Sequence, residues 1–358
     1  MDRVFIIAEA GVNHNGSLEL AKQLVDVAVQ AGADAVKFQT YKAEQLVSAS
    51  APKADYQIKT TGATESQLEM IKKLELNYRQ FIELADYCRA KRIEFMSSPF
   101  DLSSVDFLVQ ELQVCRLKIA SGEITNAPLL LRAAQSNKPV ILSTGMSTLG
   151  EIEMALGVLA FGYIGSNEQP SLRAFSEAYI SDKGQKVLQE KVTLLHCTTE
   201  YPALFAEVNL RAINTLRTAY GLAVGFSDHT PGITIPIAAA ALGAQVIEKH
   251  FTLDRSLPGP DHKASLEPQE LKDMVQSIRQ VEQALGNGSK VPTASELRNR
   301  TVARKSLVAW KDIKQGERFS MDNLGVKRPG GGLSPYYYWD MLGQIAGRDY
   351  RVDEQVER

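Results

Sequence analysis

Short apolar segments alternate with longer amphipathic segments over most of the chain. Eight apolar segments have the length and composition of buried strands, and each is followed by residues with helical spacing of apolar positions, which after the second segment come only beyond a long polar insertion. These strand segments are 4–10, 35–40, 93–100, 115–121, 139–145, 191–201, 222–230 and 246–252. Such alternation predicts a parallel sheet, and eight units predict an α/β fold of the closed TIM (β/α)8 barrel type. An open doubly wound sheet is the alternative, but no strand is followed by a GxGxxG sequence.

The alternating pattern ends near Gly286. We therefore assign residues 1–286 to the barrel domain, 287–304 to a linker with some helix, and 305–358 to a small domain of mostly β or irregular structure. A segment of about fifty residues is marginal for independent folding. We expect it to pack on the barrel, or on the barrel of a partner chain.

The predicted strands become polar at their carboxyl ends. VIEKHFT (246–252) begins like a buried strand, yet it brings Glu248, Lys249 and His250 together. The carboxyl ends of barrel strands meet at one mouth, where catalytic residues lie. Because alternate strand residues share a face, Glu248 and His250 are expected to point into the mouth and Lys249 away from it. The alternative is that the polar residues only mark where each strand leaves the core and meets water. Eight polar strand ends in succession disfavour that alternative.

The residue types at these ends suggest chemistry. Two lysines and four serines can form a small anion site, because ammonium groups neutralise phosphate or carboxylate and hydroxyls donate to their oxygens. These residues are Lys37, Lys118, Ser98, Ser121, Ser143 and Ser227. The imidazoles of His229 and His250 suit Mn²⁺ or another divalent ion, although such a pair also serves in acid–base chemistry or as hydrogen-bonded core. Carboxylates for binding hydroxyls, supporting a metal or transferring protons are Glu9, Glu123, Asp228, Glu248 and Asp261.

Composition excludes several classes of partner. The formal net charge is −2, with 40 Lys and Arg against 42 Asp and Glu, so nothing electrostatic favours nucleic acid or a membrane surface. The odd number and wide spacing of Cys88, Cys115 and Cys197 do not suggest disulfides or a zinc motif. There is no signal-peptide pattern, and no apolar run reaches transmembrane length. We expect a reduced, cytoplasmic protein.

Motifs along nearly the whole chain are similar to those of the bacterial sialic acid synthases. They are IAEAGVNHNG (7–16), VKFQT (36–40), APKADYQIK (51–59), ESQLEMIKKLE (65–75), KIASGEITN (118–126), STGM (143–146), LLHCTTEYP (194–202), FSDHT (226–230), EKHFTLD (248–254), GPDHKASLEP (259–268) and KRPGGGLSP (327–335). The resemblance implies a TIM barrel followed by an antifreeze-like (SAF) domain. It implies condensation of phosphoenolpyruvate with an N-acylated mannosamine-type sugar, giving a nine-carbon 2-keto acid and phosphate.

The resemblance also implies a divalent metal and an assembly. Mn²⁺ is the expected ion, with Mg²⁺ and Co²⁺ as alternatives, and His229 and His250 match the metal ligands. A domain-swapped homodimer is implied, in which each antifreeze-like domain covers the partner's barrel. Arg328 matches an arginine that reaches the acylamino end of the acceptor sugar across that interface.

The remaining roles follow by matching motif positions. The phosphoenolpyruvate positions are Lys37, Ser98, Lys118, Ser121, Ser143 and Ser227. The acceptor positions are Glu9, Gln39, Glu123, Tyr201 and Asp261. Catalytic roles are expected for Lys37 and Lys118, which fix the two anionic groups, and for Glu123, which would stabilise charge at C2 or orient water.

The acceptor is left open by the sequence. CTTEYP (197–202) lacks the asparagine that enzymes for N-acetylmannosamine often have. CTTEYP and KTTGATESQLEM (59–70) resemble legionaminic acid synthases, whose acceptor is 2,4-diacetamido-2,4,6-trideoxymannose. APKADYQIK and KVPTASE (290–296) resemble the N-acetylneuraminate enzymes as closely, while the GPDH form disfavours pseudaminic acid synthases.

Two other functional classes remain as alternatives. One is a pyruvate lyase with Lys37, Lys118 or Lys249 as Schiff-base nucleophile, and the other is a protein that binds ice or polysaccharide.

Overall fold

The computed structural model describes residues 3–54, 57–58, 61–62 and 64–358. Parts of the APKADYQIK and KTTGATESQLEM stretches therefore lie outside the described residues. The described chain forms two compact units, one ending at Gly286 and the other covering Asn287–Arg358. No described helix has both the length and the apolar character needed to cross a membrane.

The first unit contains one sheet of eight parallel strands. They are β1 (Phe5–Gly11), β2 (Ala35–Thr40), β3 (Glu94–Pro99), β4 (Leu117–Ile119), β5 (Val140–Ser143), β6 (Val192–Cys197), β7 (Ala223–Asp228) and β8 (Val246–His250). The order β3-β2-β1-β8-β7-β6-β5-β4 is that of a nearly closed barrel, in which β1 pairs with β8 and β3 and β4 are the terminal strands. The predicted TIM barrel is confirmed.

Helices follow the strands as the alternation predicted. The described helices of this unit are α1 (Leu18–Ala31), α2 (Ala43–Leu46), α3 (Gln67–Leu74), α4 (Tyr78–Lys91), α5 (Leu102–Asp106), α6 (Ala127–Gln135), α7 (Leu149–Ile164), α8 (Leu172–Ile180), α9 (Asp182–Lys191), α10 (Ala212–Tyr220), α11 (Thr234–Ala241) and α12 (Pro268–Leu285). Capping boxes at Ser66, Asn77 and Thr148 fix where α3, α4 and α7 begin. The sequence analysis did not separate α2 and α3 from the polar insertion after β2, and it missed α8 and α9.

The barrel interior is apolar below and polar above. Its lower layer contains Ile7, Ala35, Met96, Ile141, Leu195 and Val246, all buried. Two residues further along the same strands, on the same face, stand Glu9, Lys37, Ser98, Ser143, Cys197 and Glu248. The apolar layer therefore closes the barrel beneath a polar mouth, while a larger core packs the helices against the outside of the sheet.

The second unit contains α13 (Ala294–Ala303), the antiparallel strands β9 (Ser306–Ala309) and β10 (Leu324–Lys327), and the short helix α14 (Tyr338–Met341). Its core is small and includes Leu307, Ile313, Phe319 and Tyr350. Most of its remaining chain is irregular.

Replacing Gly225 by alanine is expected to lower the free energy of unfolding by about 1–3 kcal/mol through overpacking. A Cβ there would lie 2.4 Å from the Val246 carbonyl oxygen and 2.7 Å from Leu195 Cδ2, inside the packed barrel. The loss is measured by denaturant unfolding followed by far-UV circular dichroism. Gly150→Ala is the control, because a Cβ on that helical residue meets nothing within 4 Å. Equal effects of both substitutions would contradict the packing argument.

Candidate active site

A cavity of about 290 Å³ opens at the carboxyl ends of the barrel strands. Twelve of the fourteen predicted site residues line it: Glu9, Lys37, Gln39, Ser98, Lys118, Ser121, Ser143, Tyr201, Ser227, His229, His250 and Asp261. The strand register explains this, because Glu9 pairs with Lys37 on one side and with His250 on the other, and Ser227 pairs with Glu248. The polar residues of neighbouring strands thus lie side by side, at the same height along the barrel axis.

Four buried charges form the floor of the cavity. Lys37 Nζ lies 2.6 Å from Glu9 Oε2 and 3.6 Å from Glu248 Oε2, and Lys118 Nζ lies 3.1 Å from Glu248 Oε1. Ser227 Oγ donates to Glu248 Oε1 at 2.8 Å. Glu248 therefore bridges the two lysines across the barrel, and we call these four charged residues the ion cluster.

The two carboxyls of the ion cluster differ in proton affinity. Burial raises the pKa of Glu9 to about 7, with Glu248 adding to the rise and Lys37 opposing it. Burial would also raise the pKa of Glu248, but Lys118 and Lys37 outweigh it and hold that pKa well below its usual range. Burial lowers the pKa of Lys37, yet Glu248 and Glu9 more than compensate, so it ends above its ordinary value. At neutral pH Lys37 is cationic, Glu248 is anionic, and Glu9 can exchange a proton.

Two neutral histidines face each other beside the ion cluster. Burial lowers the pKa of His229 to about 4 and that of His250 well below its usual range. His229 Nδ1 lies 2.6 Å from the Thr198 carbonyl oxygen, so it carries the proton and leaves the Nε2 lone pair available. The two ring centroids are 5.6 Å apart, and the Tyr201 ring packs against both.

The histidines fit a divalent ion with few protein ligands. Buried His250 Nδ1 has no hydrogen-bond partner among the described residues, which is costly unless something else binds there. Two neutral imidazoles offer nitrogen ligands and leave positions for water or substrate oxygen. Within the described ranges no group of three or more His, Cys, Asp or Glu residues could hold a metal.

Lys249 lies on the opposite face of β8, as strand parity predicted. Its Nζ is 2.5 Å from Asp228 Oδ2 and also donates to the Thr230 carbonyl, and both Lys249 and Asp228 are fully buried. The Thr230 amide donates to the other Asp228 oxygen at 3.0 Å. Neither Lys249 nor Asp228 lines the cavity. VIEKHFT therefore supplies one charge to the ion cluster and another to a structural ion pair outside the barrel.

Two predicted site residues do not line the cavity. Glu123 is half-buried on the turn after β4, accepts a hydrogen bond from Asn126 Nδ2 at 2.6 Å, and has its pKa raised by burial. Arg328 is exposed and belongs to the second unit.

A buried polar network supports Asp261. Asn13 Nδ2 donates to the Phe251 carbonyl at 2.7 Å and to Ser265 Oγ at 2.9 Å. Ser265 Oγ in turn donates to the Asp261 carbonyl at 2.7 Å. The segments NHNG and GPDH are thus tied together, which fixes the backbone at Asp261. Burial raises the pKa of the Asp261 carboxyl to about 6.

The sequence analysis missed two features of the cavity. It placed Glu248 at the mouth among the carboxylates for hydroxyl binding, metal support or proton transfer, but it did not predict the pairing with both lysines, which depends on distances across the barrel. It also missed an apolar side of the cavity, because part of that side comes from the insertion that seemed merely polar. We call these residues the apolar wall: Val12, Tyr41, Leu46, Met70, Ile71, Leu74 and Phe100.

Comparisons with known proteins agree with this geometry. Residues 24–290 match the NeuB family, and residues 304–356 match the SAF domain. An N,N'-diacetyllegionaminic acid synthase of Campylobacter jejuni is 52% identical over 99% of both chains. Another of that name from Legionella pneumophila is 46% identical over 95% of this chain and 89% of its own. The crystal structure of a sialic acid synthetase from Leptospira borgpetersenii superposes with a TM-score of 0.66 at 36% identity, covering 83% of this chain and 90% of that one.

Lys249→Met is expected to lower the free energy of unfolding by about 3–5 kcal/mol, because it leaves the buried Asp228 carboxylate unpaired. Far-UV circular dichroism is the suitable probe, since Trp310 and Trp339 both lie in the second unit. The control is Arg173→Met, which breaks an exposed pair with Glu177 and should change little. A similar small effect for Lys249→Met would show that the buried pair does not stabilise the barrel.

Proposed function

The chain belongs to the NeuB family of sialic acid synthases, and on that basis we propose that it condenses phosphoenolpyruvate with an N-acylated mannosamine-type sugar. The products are a nine-carbon 2-keto acid and phosphate, so the enzyme is a carbon–carbon bond-forming transferase. The observation that carries the proposal is the ion cluster beside two neutral histidines, enclosed at the carboxyl-terminal mouth of the barrel.

Phosphoenolpyruvate is proposed to bind at the two lysines. Its carboxylate and phosphate need cations, and Lys37 and Lys118 are the cationic groups of the ion cluster. Hydroxyls from four strand ends surround them: Ser98, Ser121, Ser143 and Ser227. Buried Ser143 Oγ has no hydrogen-bond partner within the described ranges, which is expected of a group that binds a ligand oxygen.

The acceptor sugar is proposed to contact Glu9, Gln39, Tyr201 and Asp261, which line the same cavity. Glu123 would act from the adjacent turn, stabilising charge at C2 or orienting water. The relatives' names favour 2,4-diacetamido-2,4,6-trideoxymannose over N-acetylmannosamine as acceptor, because both N,N'-diacetyllegionaminic acid synthases match nearly the whole chain.

His229 and His250 would hold the divalent metal, for which we propose Mn²⁺ ahead of Mg²⁺ or Co²⁺. When bound, such an ion supplies Lewis-acid polarisation of the acceptor aldehyde. The burial that lowers the pKa of both rings keeps them neutral, as metal ligands must be.

The reaction joins C3 of phosphoenolpyruvate to the aldehyde carbon of the open-chain sugar. The aldehyde oxygen becomes a hydroxyl and needs a proton, which Glu9 can provide because its pKa is about 7. Water adds to C2 and gives up a proton, which can return to Glu9, and the resulting tetrahedral carbon expels phosphate by breaking the C–O bond. Lys37 and Lys118 hold the two anionic groups in place throughout, so their contribution is orientation and charge neutralisation.

The Schiff-base lyase is disfavoured by the lysine environments. Its nucleophile must be a neutral amine with access to substrate. Lys37 is paired with Glu9 and has a raised pKa, and Lys118 is paired with Glu248 at 3.1 Å. Lys249 is fully buried against Asp228 outside the cavity.

We also propose a domain-swapped homodimer in the cytoplasm. The matched SAF domain and the exposure of Arg328 support a role for the second unit at a partner's barrel. The three cysteines are free thiols, which suits a reducing compartment.

Phosphate release from phosphoenolpyruvate with Mn²⁺ tests the proposed function. We expect release that depends on the acceptor and a clear preference for the diacetamido-trideoxy sugar over N-acetylmannosamine. Lys118→Met should lower kcat/KM by about 10²–10³, by analogy with the loss of a preorganised oxyanion donor. The reverse acceptor preference would make the chain an N-acetylneuraminate synthase. Absence of release with either sugar, together with borohydride trapping of pyruvate, would overturn the condensation.

Mixing two inactive variants tests whether Arg328 acts across the dimer. Lys118→Met disables the barrel and Arg328→Ala disables the second unit, and in a swapped heterodimer one site keeps both functional parts. We expect activity to return when the two variants are co-expressed or refolded together. If Arg328 served its own barrel, both sites of the heterodimer would stay defective and mixing would restore nothing. Each variant refolded alone is the control.

A further inference from the structure

We propose that the apolar wall determines acceptor specificity by receiving the deoxygenated C6 end of the sugar and excluding a C6 hydroxyl. This inference rests on the proposed condensation and assigns a new role to residues outside the ion cluster. Its central residues are Met70, Ile71 and Leu74, which occupy one face of α3 and line the cavity together with Leu46.

The position of the apolar wall matches the far end of the acceptor. The aldehyde at C1 must meet phosphoenolpyruvate beside Lys37 and Lys118, and C6 is at the opposite end of the open chain. The apolar wall is formed by segments that follow the ends of β1 and β2, by Phe100 after β3, and by α2 and α3. These segments continue beyond the strand ends that carry the charged groups, so they form the outer part of the same cavity.

The apolar wall is a fixed structure. Glu75, at the end of α3, accepts from the Ala43 amide at 3.0 Å and pairs with Lys42 Nζ at 3.0 Å. Lys72 pairs with Glu44 at 2.8 Å. These contacts tie α3 to α2, and Tyr41 packs edge-to-face on Phe100 with ring centroids 6.3 Å apart.

Two polar groups beside the apolar wall have partners within the protein. The Tyr41 hydroxyl donates to the Ile71 carbonyl at 3.3 Å, and the Gln57 side-chain oxygen accepts from the Ala54 amide at 3.0 Å. Against Met70 or Leu74 a methyl group would gain apolar contact, whereas a sugar hydroxyl would lose water to side chains that offer it no strong hydrogen bond. The apolar wall thus suits a 6-deoxy sugar.

The test compares kcat/KM for the diacetamido-trideoxy sugar and for N-acetylmannosamine in wild type and Met70→Gln. Glutamine has a similar length but offers hydrogen-bonding groups to a hydroxyl. We expect the ratio of the two kcat/KM values to fall about tenfold or more, within the range set by small apolar differences in a pocket. KM for phosphoenolpyruvate should stay unchanged, because that substrate binds elsewhere. Met70→Leu should keep the wild-type ratio.

Leu68→Gln is the matched control, because Leu68 is a half-buried residue of α3 that does not line the cavity. Ile71→Thr serves as a second, milder wall variant if Met70→Gln does not fold. Three results would overturn the specificity role. They are an equal loss of kcat/KM with both sugars, an unchanged kcat/KM ratio in a folded wall variant, and the same shift of that ratio in Leu68→Gln. Absence of phosphate release with either sugar in the wild type would instead overturn the proposed function, and this inference with it.

Discussion

Four ionisable groups buried inside the barrel are the constraint on which the site depends. Moving a charge from water into the protein interior costs much free energy, and buried charges are stable only when each has a partner at short distance. Glu248 meets this requirement for Lys118 and shares Lys37 with Glu9. The barrel must therefore hold β1, β2, β4 and β8 in a fixed register, and the apolar layer around Ile7 and Leu195 beneath them maintains it. The same ion cluster keeps two cations ready for an anionic substrate.

The alternation of side chains along β8 separates two tasks. Glu248 and His250 face the cavity, whereas Lys249 joins Asp228 on the other face of the sheet. A slip of one residue would put the structural lysine into the site and the histidine among the helices, so register is under strong energetic control. The neighbouring strand repeats the arrangement, with Ser227 and His229 inside and Asp228 outside. Residues that face the cavity and residues of the buried ion pair thus alternate along β7 and β8.

Much of this could be predicted from the sequence, because strand period and polar strand ends are local properties. The eight strands, the inward direction of Glu248 and His250, and the outward direction of Lys249 all follow from them. The bridging role of Glu248 could not be predicted, because it depends on distances between strands far apart in the chain. The apolar wall was hidden for a similar reason, since Met70, Ile71 and Leu74 stand among charged residues and acquire meaning only where α3 packs. The predicted catalytic role of Glu123 came from resemblance, and it stays a prediction because that residue lies beside the cavity without lining it.

The central claim is that this ion cluster holds phosphoenolpyruvate while its C–O bond breaks. The most direct measurement uses phosphoenolpyruvate labelled with ¹⁸O at the oxygen bridging C2 and phosphorus, followed by mass spectrometry of both products. We predict that all of the label appears in the released phosphate and none in the 2-keto acid, whose new oxygen comes from water. Label retained in the keto acid would mean that the P–O bond breaks instead. That result would contradict the addition of water at C2 and the expulsion of phosphate from a tetrahedral carbon.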